Sequence, residues 1–112
     1  MKIAIIGSRT AFVDGIDEYI GEKCDEIVSG GAKGVDTQAA DFARKNGITL
    51  TEFLPDYKRY GRAAPLIRNR MIVKYADEII AFWDGKSRGT DYVIKYAEKI
   101  GKPCRVIVIQ KF

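Results

Sequence analysis

Five short apolar runs alternate along the chain with four segments in which apolar residues recur every three or four positions. The runs at residues 3–6 and 79–82 are continuously apolar, which is typical of parallel strands covered on both faces. The run at residues 49–54 mixes polar and apolar residues, as an edge strand does. The predicted strands are Lys2–Ile6, Glu26–Ser29, Thr49–Leu54, Glu78–Trp83 and Arg105–Ile109.

The four intervening segments have the periodicity of helices that bury one face. Their apolar stripes consist of Phe12, Ile16, Tyr19 and Ile20; Val35, Ala39, Phe42 and Ala43; Ile67, Met71 and Tyr75; and Tyr92, Val93, Tyr96, Ala97 and Ile100. Residues 55–64 show neither pattern and are predicted to form a long loop with aromatic and basic side chains. Strands that alternate with helices indicate right-handed crossovers and a parallel sheet. We therefore predict an α/β fold: a single Rossmann-like three-layer domain over residues 1–112, with a five-stranded parallel sheet in the order 3-2-1-4-5.

Composition restricts the chemistry that the chain can perform. Its 112 residues include 19 basic and 15 acidic side chains, for a net charge of +4, and no histidine. Histidine base catalysis and most zinc-site architectures are therefore excluded, and no metal is expected. Cys24 and Cys104 precede strands that should lie about 14 Å apart in the predicted order, so we expect two reduced thiols. No signal peptide or membrane-spanning run is recognisable, which predicts a soluble, cytoplasmic protein without a membrane partner.

Four short segments with glycine, arginine or hydroxyl side chains follow predicted strands or open predicted helices. Glycine turns let a backbone approach an anion closely, and the helix that follows presents free N–H groups and the positive end of its dipole. In an open parallel sheet, such turns converge where the strand order reverses, here between the first and fourth strands. We therefore expect one crevice that binds a phosphorylated ligand. Its candidate residues are Gly7, Ser8, Arg9, Ser29, Gly30, Gly31, Ala32, Gly34, Arg68, Asn69, Arg70, Asp84, Gly89 and Thr90.

Several of these side chains have specific expected roles. Ser8 can donate a hydroxyl hydrogen bond to phosphate, and Arg9 can offer a bidentate guanidinium. Arg68 and Arg70 are two residues apart on a predicted helix, so at most one of them faces the crevice, and periodicity is equally compatible with two solvated charges. Asp36 is assigned to stabilising a helix N-terminus rather than to contacting the ligand.

Together these residues resemble the SLOG superfamily, the Rossmann-like domain shared by the DNA-processing protein A family (DprA) and the Lonely-guy phosphoribohydrolases. Residues 2–9 are similar to the first strand and Gly-Ser-Arg turn of that superfamily. Residues 29–36 resemble the Ser-Gly-Gly-Ala-x-Gly-Ile-Asp signature of the DNA-processing branch, and residues 68–72 resemble its Arg-Asn-Arg-x-Ile helix. Residues 87–90 match the Gly-Thr element that opens the last helix. The resemblance covers nearly the whole chain and is nearest to stand-alone, single-domain members.

One departure from the superfamily bears on catalysis. The phosphoribohydrolase branch carries a catalytic glutamate after its Gly-Thr element, and Val93 stands at the matching position here. Because valine neither accepts nor donates a proton, the resemblance does not extend to nucleoside-monophosphate cleavage. The acids nearest the crevice, Asp84 and Asp91, match no specific catalytic signature in their spacing.

We therefore expect a sensor or accessory protein that binds a nucleotide or nucleotide-derived ligand, with catalytic residues and any cofactor undefined. One alternative is a single-stranded DNA-binding protein with a basic and aromatic track. A second alternative, disfavoured because Val93 replaces the family glutamate, is a nucleotide hydrolase or phosphoribohydrolase that uses Asp84 or Asp91. A homodimer is compatible with the sequence. The track of the first alternative consists of Lys58, Arg59, Arg62, Arg68, Arg70, Lys86 and Arg88 with Tyr57 and Tyr60.

The Arg9→Ala variant tests the expected phosphate site. Removing a charged hydrogen-bonding partner typically costs about 1.5–3 kcal/mol, so ligand affinity should fall roughly ten- to a hundredfold while the melting temperature changes little. Calorimetric titration of both proteins with the same nucleotide measures the ratio. Equal affinity of variant and wild type would contradict a site at the turn after the first strand.

Overall fold

A computed structural model describes residues 1–8, 12–31 and 33–109. The chain forms five strands and five helices, with a short 3-10 turn at Gly61–Ala63. The strands are β1 (Lys2–Gly7), β2 (Glu26–Ser29), β3 (Thr49–Glu52), β4 (Glu78–Trp83) and β5 (Cys104–Val108). The helices are α1 (Ile16–Ile20), α2 (Val35–Lys45), α3 (Tyr57–Tyr60), α4 (Ala64–Tyr75) and α5 (Arg88–Ile100).

The five strands form one parallel sheet in the order β3-β2-β1-β4-β5. Ile3 pairs with Ile27 of β2 on one side and with Glu78 of β4 on the other. The predicted Rossmann-like arrangement and strand order are thereby confirmed. The strand order reverses at β1, so the carboxyl ends of β1 and β4 border the point where such sheets bind ligands.

Successive residues of β1 face opposite helical layers, which explains its continuous apolar run. Ile3 and Ile5 belong to a core that includes residues of α1 and α2, whereas Ala4 and Ile6 belong to a second core with α4 and α5. Both faces of the central strands are thus covered, as in most parallel sheets. None of the helices in the described part of the chain combines the length and apolar content that crossing a bilayer requires.

Two expectations about the third helical region are wrong. Residues 57–63 are helical rather than a loop, because the Asp56 side chain accepts a hydrogen bond from the Arg59 N–H at 3.2 Å and so caps α3. The buried face of α4 also differs from the predicted stripe. Met71 is 47% exposed, whereas Ile72 and Val73 are fully buried. Apolar residues lie all around this helix, so only its packing on the sheet determines which of them are covered.

The two cysteines are unpaired, as expected. Cys24 is buried and Cys104 is half-buried. Burial raises the pKa of both thiols, which reduces the thiolate fraction available for oxidation or metal binding. Within the described residues, no cluster of three or more cysteine or carboxylate side chains is arranged to hold a metal ion.

Helix α2 approaches β1 so closely that only glycine fits at the end of the strand. A Cβ atom on Gly7 would lie 2.5 Å from Cβ of Val35, a fully buried residue at the start of α2. Gly7 therefore lets the N-terminus of α2 come down onto the carboxyl end of β1, beside the ligand-binding edge of the sheet.

Gly7→Ala should lower the free energy of unfolding by about 1–3 kcal/mol, because the added methyl group overpacks this contact. Val35→Ala should also destabilise, through the cavity that it leaves. In the double variant two of the three clashing atoms, Cγ1 and Cγ2 of Val35, are gone and only the contact with Cβ at 2.5 Å remains, so its loss should be smaller than the sum of the two single losses. Urea unfolding of the four proteins measures the difference, and strict additivity would contradict the close approach.

Candidate functional site

A cavity of about 360 Å³ opens at the carboxyl ends of β1 and β4, between the first turns of α2 and α5. Its wall is built from the ends of two strands, two glycine turns and one face of α4. This is the crevice expected at the reversal of strand order. The lining residues are Ile6, Gly7, Ser8, Gly30, Asp36, Pro65, Arg68, Asn69, Ile72, Asp84, Ser87, Gly89 and Thr90.

Ser8 follows β1 directly and contributes a buried hydroxyl to the cavity. The residue is 4% exposed, and its Oγ atom has no hydrogen-bond partner among the described residues. A buried polar group without a partner costs about 1–3 kcal/mol, and proteins normally pair such groups with protein or water. A side chain left in this state at a cavity wall is available to a ligand.

The turn between β4 and α5 is held by its own polar groups. Asp84 Oδ1 accepts hydrogen bonds from the N–H groups of Lys86 at 2.9 Å and Ser87 at 2.8 Å. The Trp83 indole N–H donates to the Ser87 carbonyl at 3.0 Å. Asp84 thus positions the start of α5 and also lines the cavity. The Trp83 indole stabilises the same turn through its hydrogen bond.

The first turn of α5 presents a buried hydroxyl and backbone donors. Thr90 is 3% exposed, and its Oγ1 lies 3.3 Å from Ser87 Oγ. Ser87 occupies the N-cap position without a side-chain capping bond. The N–H groups at the start of a helix have no partners within the helix, so those of α5 can donate to an anion at Gly89 and Thr90.

Arg68 connects α4 to the glycine turn that follows β2. Its Nη1 donates to the Gly30 carbonyl at 2.7 Å and reaches the Phe53 carbonyl at 3.5 Å, while its Nε donates to Asn69 Oδ1 at 2.8 Å. A Cβ atom on Gly30 would lie 2.6 Å from Arg68 Nη1 and 3.3 Å from Asp36 Oδ2. Gly30 is therefore glycine because the guanidinium and a carboxylate occupy the space around it.

The rest of the glycine turn shapes the backbone without lining the cavity. Ser29 is fully buried, and its Oγ accepts a hydrogen bond from the Gly31 N–H at 3.2 Å. Gly31 has φ +69° and Gly34 has φ +76°, in the region that L side chains rarely adopt. Gly34 is the N-cap of α2 and, like the N-cap of α5, makes no side-chain capping bond.

The model of the YspA, cpYpsA-related SLOG family matches residues 1–60 of this chain, which includes the Ser8, Gly30 and Asp36 parts of the cavity. The chain belongs to the SLOG family. It is also 36% identical to the Gene 61 protein of Mycobacterium phage D29 over 83 residues, 69% of this chain and 66% of that protein. The chain thus spans slightly less than two thirds of the length of that relative. No solved structure matches.

The SLOG cavity contains eight of the predicted site residues: Gly7, Ser8, Gly30, Arg68, Asn69, Asp84, Gly89 and Thr90. Four others lie outside its wall: Ser29, Gly31, Gly34 and Arg70. Arg9 and Ala32 fall outside the described residues. The two arginines of α4 point in different directions, as expected for residues two positions apart on a helix. Arg68 faces the cavity, whereas Arg70 donates from Nε to the Tyr92 hydroxyl at 2.5 Å.

Five lining residues of this SLOG domain were not predicted. Ile6 and Ile72 are core residues whose edges reach the cavity, and no pattern distinguishes them from the rest of the core. Asp36 is 7% exposed and lies in the first turn of α2, where it also lines the cavity. Ser87, two residues before Gly89, could have been predicted as a helix N-cap from its residue type and position. Pro65 completes the set.

Two acids and one apolar residue considered for catalysis have clear surroundings in the SLOG fold. Asp84 lines the cavity, whereas Asp91 is not among its lining residues and pairs with Lys95 at 2.9 Å, one helical turn away. Val93, at the position of the phosphoribohydrolase glutamate, is fully buried in the core between α5 and the sheet.

Gly31→Val and Gly47→Val form a matched pair that separates backbone strain from loss of the site. Both glycines have positive φ, +69° and +63°, so each substitution should cost about 1–2 kcal/mol of stability. Gly31 lies in the turn between β2 and α2, where an added Cβ would also meet Leu54 Cδ2 at 2.6 Å and increase the loss, whereas Gly47 lies in the connection from α2 to β3 and has no atom within 4 Å of an added Cβ.

Only Gly31→Val should therefore weaken ligand binding, because it distorts the turn that presents the start of α2. Chemical unfolding measures the shared loss, and titration with the ligand measures the difference. Equal affinities of the two variants would show that the turn geometry does not matter to the site.

Proposed function

We propose that the cavity binds a nucleotide or a nucleotide-derived phosphorylated ligand, and that the protein acts as a sensor or accessory protein rather than as an enzyme. The observation that carries this proposal is the unpartnered Ser8 hydroxyl at the wall of a cavity where two helices begin. Membership of the SLOG family is consistent with a nucleotide-related role.

The anionic part of the ligand fits the two helix N-termini. Helices α2 and α5 contain 11 and 13 residues and begin without side-chain capping bonds. Helices of this length carry a partial positive charge at the N-terminus, where the first N–H groups are not used by hydrogen bonds within the helix itself. Ser8 and Thr90 add hydroxyl groups on the same wall. This set of neutral donors suits phosphate oxygens.

The uncharged part of the ligand fits the hydrogen-bond acceptors of the same wall. Asp36, Asp84 and Asn69 present oxygen acceptors that suit donors such as sugar hydroxyls or base amino groups. The volume, about 360 Å³, lies within the roughly 300–1,000 Å³ typical of small-molecule sites. A phosphate with an attached sugar uses both halves of the wall, whereas inorganic phosphate would leave the carboxylates unused.

Binding without turnover is favoured over hydrolysis by the surroundings of the acids. Asp84 Oδ1 is already engaged with two backbone N–H groups, and Asp91 is engaged by Lys95. Val93 supplies no proton-transfer group at the position of the family glutamate. A nucleotide hydrolase that uses Asp84 remains the competing function, and the same samples can be analysed for products.

The Ser8→Ala variant tests the proposal through two effects of opposite direction. Removal of an unpaired hydroxyl should leave the ligand-free protein at least as stable as wild type. In the complex, the lost hydrogen bond to a charged phosphate should weaken binding by about 1.5–3 kcal/mol. A thermal-shift panel of nucleotides, cyclic dinucleotides and ADP-ribose identifies the ligand, which should stabilise wild type by about 2.7 kcal/mol at a hundredfold excess over Kd.

Ser29→Ala is the matched control. The Ser29 hydroxyl is equally buried but accepts the Gly31 N–H, so its loss should destabilise the free protein by about 1 kcal/mol. If no compound of the panel stabilises wild type at millimolar concentration, or if Ser8→Ala binds as tightly as wild type, the proposal is wrong. Free base or phosphate released during incubation would favour the hydrolase.

A further inference from the structure

A second concave surface lies between α4 and α5 and shares no residue with the SLOG cavity. It has a volume of about 400 Å³ and is lined by Arg70, Tyr92, Lys95, Tyr96 and Lys99. We refer to these five residues as the tyrosine groove. The groove lies in the helical layer of α4 and α5, on the opposite side of the sheet from α1 and α2.

The two tyrosine rings form an ordered aromatic platform. Tyr92 and Tyr96 are one helical turn apart, with ring planes inclined by 6° and centroids 6.2 Å apart. The Arg70 guanidinium lies 5.9 Å and 5.7 Å from the two ring centroids, and its Nε bonds to the Tyr92 hydroxyl. This contact connects the platform to α4 and fixes a cation beside both rings.

The groove is cationic, and so is the chain around it. Lys95 pairs with Asp91, but within the described residues no carboxylate lies at ion-pair distance from Arg70 or Lys99. Residues 57–76, which include all of α4, contain six basic residues and no acidic one, and α5 carries three basic residues against the two acids Asp91 and Glu98. The surface therefore suits a polyanion that brings several negative charges along the helices.

We propose that the tyrosine groove binds single-stranded nucleic acid, independently of the ligand in the SLOG cavity. A single strand offers both phosphates for the cations and unstacked base faces for the tyrosine rings. In a duplex the bases stay stacked on one another, so only its phosphates can interact with the tyrosine groove. An acidic peptide would pair with the cations but would leave the aromatic platform unused.

The groove differs from the basic track expected from the sequence. That track combined Arg68 with Arg70, but Arg68 is engaged by the Gly30 carbonyl in the cavity, on another face of α4. Tyr92 and Tyr96 were assigned to a buried helical stripe; both are half-buried, Tyr96 packs against the core, and both also line this surface. The stacking residues of the groove thus come from α5 rather than from Tyr57 and Tyr60.

Fluorescence anisotropy with a labelled 15-nucleotide oligothymidine and the matching oligouridine tests the proposal at low salt. Binding of either strand is expected, with a plot of log affinity against log salt of slope about −2, since roughly three contacts each contribute about −0.7. Tyr96→Leu, which keeps an apolar side chain but removes the ring, should lower affinity about ten- to a hundredfold. The double variant Arg70→Gln/Lys99→Gln should reduce the affinity and flatten the salt dependence.

Lys45→Gln is the matched charge control, because this exposed lysine ends α2 on the other side of the sheet. It should bind like wild type, as should Ser8→Ala, which separates the groove from the cavity. If Tyr96→Leu is less stable, the Arg70→Gln/Lys99→Gln pair still decides the question, since both side chains are exposed. The proposal is overturned if neither strand binds, if duplex binds as tightly, if a polyglutamate peptide competes equally, or if the groove variants match Lys45→Gln.

Discussion

The hydrogen bond from Arg68 to the Gly30 carbonyl joins the two helical layers of the molecule across one edge of the sheet. Arg68 belongs to α4, whereas Gly30 begins the connection from β2 to α2, which lies on the other side of the sheet. Gly30 is buried, so its carbonyl needs a partner within the protein. The guanidinium supplies one at 2.7 Å and also reaches Phe53 after β3. The arrangement of the cavity follows from this contact, because it holds the turn before α2 against the wall that α4 provides.

The opposite faces of α4 give the domain two chemically different surfaces. The inward face carries Arg68 and Asn69 into a cavity whose remaining polar groups are hydroxyls, carboxylates and backbone N–H groups. Arg70, two residues further along, points toward α5 and contacts Tyr92 and Tyr96. Side chains two positions apart on a helix point in directions that differ by about 200°. Arg68 and Arg70 therefore contribute to separate surfaces.

The predicted residues and the cavity wall coincide where a residue directly follows a strand or opens a helix. Ser8, Gly89 and Thr90 line the cavity because the carboxyl ends of parallel strands meet at one edge, a consequence of topology alone. Asp36 was expected only to stabilise a helix start, because an acid there has a sufficient local explanation, whereas its place in the cavity wall depends on β2 lying beside β1. The buried face of α4 was wrong because apolar residues such as Met71 and Ile72 lie on different sides of it.

The sequence by itself determined the five strands, the parallel sheet, the strand order and four of the five helices in the described part of the chain, but not α3. These features depend on local periodicity, on glycine turns and on the handedness of crossovers, which are properties of neighbouring residues. Only the tertiary structure decided that Ser8 is left without a partner, that Arg68 serves Gly30 and that Arg70 serves Tyr92. The two arginine contacts depend on the distance between residues that are 22 or more positions apart in the sequence. The state of the Ser8 hydroxyl depends on all the groups that surround this one buried oxygen. No local pattern encodes such separations, because they arise when the two helical layers pack on the sheet.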